Sequence, residues 1–193
     1  MNKNLLLKYS LYFTAIVSIA IWALLVWSHY HGGVPRHHLL ARKDLPSFSN
    51  WWGGIILPLL TWFLLYRIRI RVLHENVELS KFPVTVLYGF TAALLFGIML
   101  SVFFTFGYSD IPGYMLMGLF LLALFIPVYR AECLLGFVIG MTFTFGAVLP
   151  TLIGSVLTLI TALLYLYIRP SIRYIAAAFL RMVSSGRQDN SHK

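Results

Sequence analysis

The chain has 193 residues, 60% of them hydrophobic and 11% charged, and carries a formal net charge of +9 at pH 7. A mean hydropathy of +0.82 lies well outside the range of soluble globular domains. The Lys and Arg residues sit at the ends of apolar runs rather than along one face, which argues against nucleic-acid binding and for a membrane-orientation signal.

A span needs roughly 20 apolar residues to cross about 30 Å of hydrocarbon, so this length allows about five to seven crossings and no separate soluble domain. The first apolar run, Tyr9–Trp27, follows Lys3 and Lys8 as a signal peptide would. It is longer than a usual signal core, and the following Ser28-His29-Tyr30-His31 contains no small-x-small cleavage site, so it reads as a retained first span. Next comes a polar stretch from Ser28 to Asn50. It holds His29, His31, His37 and His38, four of the six histidines, with Arg36, Arg42, Lys43 and Asp44. Asp44-Leu-Pro46 and Ser47-Phe-Ser49-Asn50 have turn and cap chemistry, with Asn50 the expected N-cap of the second span.

Five more apolar blocks follow: Trp51–Tyr66, Phe82–Phe106, Tyr114–Tyr129, Cys133–Leu149 and Thr151–Ile168. Pro58 and Pro127 are expected to kink their spans, and Pro150 with Gly154 to make a tight reversal between the last two. Beyond them, Pro170–Val183 separates Ile172, Ile175, Phe179, Leu180 and Val183 from Arg173 and Arg181, the pattern of an amphipathic helix lying in the interface. Residues 184–193 read as a disordered cytoplasmic tail. The fold expected is an all-α integral membrane protein of one domain, residues 1–183, a bundle of six transmembrane helices with a structured outward loop. Cys133 is the one cysteine, which excludes an intramolecular disulfide and a thiolate-rich metal site.

Orientation follows from charge. With the N-terminus inside, Lys3, Lys8, Arg67, Arg69, Arg71, Lys81, Arg130, Arg169, Arg173, Arg181, Arg187 and Lys193 are cytoplasmic, against Arg36, Arg42 and Lys43 outside. Tyr66-Arg67, Tyr129-Arg130 and Tyr167-Ile168-Arg169 place a ring and a guanidinium at the inner interface, while Trp27, Tyr30, Trp51 and Trp52 form an outer belt. N-in/C-in topology in the plasma membrane is the expectation. Inside, Glu75, Glu78 and Glu132 neutralise nearby arginines, and Arg67-Ile-Arg69-Ile-Arg71 anchors to lipid phosphates.

Small residues recur every four positions: Gly89, Ala93, Gly97, Ser101 and Thr105 in the third block, Gly136, Gly140 and Thr144 in the fifth, Gly154, Thr158 and Ala162 in the sixth. This spacing lets helix backbones approach closely and predicts packing seams, within the bundle or between copies in a homo-oligomer. None of the spans carries an ionisable residue at mid-depth, which disfavours an ion-coupled carrier.

The chemistry-bearing residues therefore gather on the outer face, where Asp44 and Asp110 are the carboxylates able to meet the histidines. Three readings stay open. His29, His31, His37 and His38 are potential ligands for a divalent transition metal, although His-x-His and His-His do not match a helical i, i+4 pair. Arg36, Arg42 and Lys43, flanked by Asn50 and Trp51, suit an anionic lipid headgroup or phosphate, with His37, His38, Asp44 or Asp110 as acid, base or nucleophile. The third is that all are interfacial side chains with no site. Two functional classes follow: an outer-leaflet enzyme or binding protein, or a small-solute channel, carrier or membrane-complex assembly subunit without catalysis. No motif for nucleotides, haem, flavin or a serine triad is present.

Overall fold

The computed structural model describes residues 3–31, 36–38, 47–74, 84–108, 110–175 and 177. Among them are six α-helices: α1 (Lys3–Tyr30), α2 (Gly53–His74), α3 (Val84–Thr105), α4 (Asp110–Ala123), α5 (Ala131–Phe145) and α6 (Val148–Leu163). A short antiparallel ribbon, β1 (Arg36–His38) with β2 (Ser47–Ser49), precedes a single 3-10 turn over Asn50–Trp52. Asn50 thus opens that turn, and the α-helix starts three residues later, at Gly53.

Three helical stretches, Asn4–Tyr30, Val84–Thr105 and Val148–Ile175, are long and apolar enough to cross a membrane. Their outward faces carry large side chains such as Ile16, Ile19, Leu95, Val156 and Leu159, all exposed. Such apolar exteriors are what a lipid solvent demands and mark the chain as membrane-associated. Seven hydroxyls on these helices are satisfied locally, whereas Ser101 Oγ in α3 is buried without a partner. Ser10, Thr14, Ser18, Thr105, Thr151, Ser155 and Thr161 each donate to a backbone carbonyl four residues back in their own helix, at 2.7–2.9 Å.

The ends of the later elements differ from the apolar blocks, for identifiable reasons. Helix α4 starts at Asp110 and stops at Ala123, so Pro127 lies in the connection to α5 and kinks no helix. The reversal before α6 is made by Gly146, at φ 72°, and Ala147. Pro150 instead sits in the first turn of α6, where its missing N–H leaves no intrahelical bond unmade. Nor does Pro170 separate a new helix. The chain passes from α6 through a π-helical turn, Leu164–Ile168, in which the Arg169 N–H donates to the Leu164 carbonyl five residues back. That wider turn accommodates the proline ring, and the helix runs on to Ile175. Of the interfacial helix expected over residues 170–183, residues 176 and 178–183 lie outside the described residues, as does the tail 184–193.

Helix α5 is the centre of the bundle. Eight of its fifteen residues are buried, among them Leu135, Phe137, Val138 and Met141. Its neighbours are α3, α6 and α2. It runs parallel to α3, because Gly89 faces Glu132, Gly97 faces Phe137 and Gly140, and Phe104 packs its ring on Phe145. Antiparallel packing relates α1 to α2, where Gly54 meets Leu25 and Trp22, and α5 to α6, where Gly154 meets Leu134 and Phe137. Helices α1, α3 and α5 therefore run one way and α2 and α6 the other. Tyr66, Tyr129, Tyr165, Arg69 and Arg169 gather at the end that carries the α1 N-terminus, and Trp22, Trp27 and Trp51 at the opposite end.

The α3–α5 contact is backbone on backbone. A Cβ on Gly136 would strike the Phe90 carbonyl, one on Gly140 would lie 2.5 Å from the Leu94 carbonyl oxygen, and one on Gly97 2.8 Å from that of Phe137. The small-residue seams of the third and fifth blocks thus face each other within one chain. Replacing Gly140 by Leu should cost about 1–3 kcal/mol of stability through overpacking, read as a lowered Tm in detergent. Gly118, where an added Cβ meets nothing within 4 Å, should tolerate Ala without loss.

Candidate functional site

The predicted outer-face residues fall into three groups. Arg42, Lys43 and Asp44 lie outside the described residues. Of Arg36, His37, His38 and Asn50 the backbone alone is described: Arg36, His37 and His38 pair with Ser49, Phe48 and Ser47 across the ribbon. His29, His31, Trp51 and Asp110 are described in full, and all four are exposed. The His31 ring stacks on Trp27 with centroids 3.8 Å apart and its Nδ1 lies 3.0 Å from the Trp27 carbonyl oxygen. His29 meets Tyr30 and Trp51 edge-on, and Trp51 also packs on Trp22. Among the described residues no three His, Cys, Asp or Glu side chains are grouped to hold a metal ion. Asp110 stands in the first turn of α4, where a carboxylate favours the helix N-terminus.

A different constellation lies at the other end of the bundle. Glu132, in the first turn of α5, is 1% exposed. Its Oε1 accepts a hydrogen bond of 2.9 Å from Nη2 of Arg71, in the last turn of α2. The arginine side chain retains 25% exposure, so one partner of the ion pair is buried and the other reaches the bundle edge. The second carboxylate oxygen, Glu132 Oε2, is buried with no partner. Gly89 makes room for this side chain: a Cβ there would lie 3.0 Å from Glu132 Cγ.

Beside the pair lies a cavity of about 260 Å³ between α1, α2, α3 and α5. Leu6, Phe13, Leu65, Val86 and Leu135 make most of its walls, and Glu132, Ser10 and Arg69 also line it. Tyr9 and Leu87, both exposed, stand at its edge, and Phe13 and Phe90 close the gap between α1 and α3 with an edge-to-face contact at 5.9 Å. A second apolar cavity of about 240 Å³ lies across α3 and α5, lined by Gly89, Phe96, Leu119, Cys133, Gly154 and Thr161.

Glu132, expected to neutralise an arginine, pairs with Arg71. Arg71, expected to anchor to lipid phosphates with Arg67 and Arg69, turns to Glu132 instead. The available signal was the stripe Leu57, Thr61, Leu64 and Ile68, all buried at spacings of three and four; its next step lands on Arg71 and Val72. That stripe turns Arg71 inward, whereas Arg67 is exposed.

No protein-family model, no curated protein and no solved structure matches this chain.

Removing one partner of the pair leaves the other uncompensated. Arg71→Leu should therefore destabilise the protein by on the order of 3 kcal/mol, measured by thermal unfolding in detergent. The double replacement Arg71→Leu with Glu132→Leu should recover most of that loss, because two apolar side chains leave no buried charge.

Proposed function

We propose that this chain is a plasma-membrane protein of six spans with both termini cytoplasmic, and that it binds a membrane-soluble amphiphile within the bundle. The observation that carries the binding reading is the cavity beside Glu132: apolar walls, Ser10, Arg69 and Glu132 among the residues that line it, and exposed Tyr9 and Leu87 at its edge. Ligand sites are mostly apolar clefts with a few placed polar groups, and this cavity has that composition.

Several features support the threading. Tyrosines and arginines share one end of the bundle and tryptophans the other, as inner and outer interfacial belts would. Helices α4 and α5, at 14 and 15 residues, are about 21–22 Å long by the usual rise per residue, short of the hydrocarbon thickness. As crossings they rely on neighbours. Helix α5 is wrapped by α2, α3 and α6, and the turns over residues 124–130 keep backbone bonds such as Phe125 N–H to Leu122.

A second reading keeps the outward loop as a site for an anionic headgroup, a phosphate or a divalent metal. It is favoured by the β1–β2 pairing, which brings Arg36, His37 and His38 alongside Ser47–Ser49 just ahead of Trp51. In that case Ala at His37 or Asp110 abolishes phosphate or metal binding in a folded protein, whereas a channel or assembly subunit is insensitive to both.

Threading is tested with single cysteines in a Cys133→Ala background. His37→Cys should react with an impermeant maleimide on intact cells, and Ser171→Cys only after permeabilisation; the reverse pattern refutes N-in/C-in. Binding is tested with an alkyl diazirine photoprobe on the full chain in nanodiscs. Saturable labelling of α1, α2 and α3 peptides is expected, lost in Ser10→Phe, which fills the cavity.

A further inference from the structure

The head of an amphiphile held between α1, α2, α3 and α5 is restricted by what surrounds the cavity, given that the cavity binds an amphiphile at all. The lining is almost wholly apolar, so a polar head inside would lose its water and gain few partners. The chain therefore lies within and the head at the rim. Along α1 the cavity extends from Phe13 to Leu6, about 10 Å by the usual rise per residue. At one end Phe13 meets Phe90 edge-on. The other end, at Leu6, Val72 and Val86, lies close to the termini of α1, α2 and α3.

That end is basic. Among the described residues, the turns of α1, α2 and α5 around it carry Lys8, Arg67, Arg69, Arg71 and Arg130 against one carboxylate, Glu132, whose charge Arg71 meets. Of these five cations Arg69 is the one that lines the cavity. It is half-buried and stands on α2 between the cavity-facing Leu65, Ile68 and Val72 and the exposed Tyr66, whose ring its guanidinium overlies at 5.5 Å. Its stem follows the wall while its charge stays at the lip, as long basic side chains do at an interface. A guanidinium there favours an anion, and its planar fork matches a carboxylate through two parallel N–H···O bonds. A phosphate monoester carries more negative charge than one guanidinium offsets, and an ammonium meets a rim already positive. At about 260 Å³ the cavity is smaller than most ligand sites, which favours one chain over two.

We propose that the cavity takes a long-chain fatty acid, its chain lying against Leu6, Phe13, Leu65 and Leu135 and its carboxylate at the rim on the Arg69 guanidinium. Entry is lateral, from the bilayer between α1 and α3, where Tyr9 and Leu87 are exposed.

The test uses the full chain in nanodiscs at alkaline pH, with diazirine probes of one chain length and four heads: a carboxylate, a phosphate monoester, an alcohol and an ammonium. Labelled peptides are mapped by mass spectrometry at limiting probe. The carboxylate should label the cavity about fivefold more than the alcohol or the ammonium, and more than the phosphate. Arg69→Gln should bring the carboxylate down to the level of the alcohol and leave the alcohol unchanged. Arg67 is exposed and outside the lining, so Arg67→Gln removes the same charge from the same helix and should keep the preference. Equal loss in both variants assigns the preference to the general positive potential of this end and overturns the role of Arg69. Should Arg69→Gln fail to fold, the head-group series on the native chain decides. Preference for any other head, or equal labelling by all four, overturns the fatty-acid assignment and leaves amphiphile binding standing. Absence of saturable labelling by every probe overturns the binding reading itself.

Discussion

The contact on which the bundle depends is the crossing of α3 and α5, where glycines let one backbone rest on the other. Lipid gives helices no hydrophobic reason to associate, so van der Waals contact must do the work, and it is richest where side chains do not intervene. Gly136 lies against Phe90, Gly140 against Leu94, and Gly97 against Phe137. With the two helices parallel and this close, α4 is displaced to the periphery. The remaining surface of α5 is left for α2 on one side and α6 on the other.

The same crossing creates the site. Gly89, next to Phe90 at the N-terminal end of that contact, leaves the space that the Glu132 side chain enters. Bringing α2 against α5 then delivers Arg71 to it. The cavities on the two flanks of the pair follow from geometry, since two backbones in contact hold their outer neighbours apart. The neighbouring residues Glu132 and Cys133 line one cavity each. The polar chemistry is thus a by-product of packing small residues, and the same residues that bind the bundle together set the shape of the space beside the carboxylate.

Much of the helical framework was legible in the chain. Long apolar runs and the four-residue recurrence of Gly97, Ser101, Gly136 and Gly140 report directly on lipid exposure and close approach. Local breakers were less faithful. Pro150 and Pro170 signal chain reversal or separation by rule, yet a first-turn position absorbs the one and a π-helical turn the other, while Gly146 makes the reversal. The histidine-rich stretch drew attention because its composition is unusual, and composition does not say what a ring touches: His29 and His31 are engaged by Trp51 and Trp27. The Arg71–Glu132 pair was only half legible. Its partners stand 61 residues apart, and no local pattern encodes which arginine reaches which carboxylate.

That separation bears on biosynthesis. Most hydroxyls of α1 and α6 are bonded within their own helix, so these segments carry little unmet polarity into lipid, whereas in α3 Ser101 Oγ stays buried and unbonded. Helix α5 is different. Until it docks, its leading carboxylate has neither the Arg71 guanidinium nor the space beside Gly89. Helices α2 and α3, both made before α5, therefore already hold the arginine and the niche that its carboxylate meets on docking.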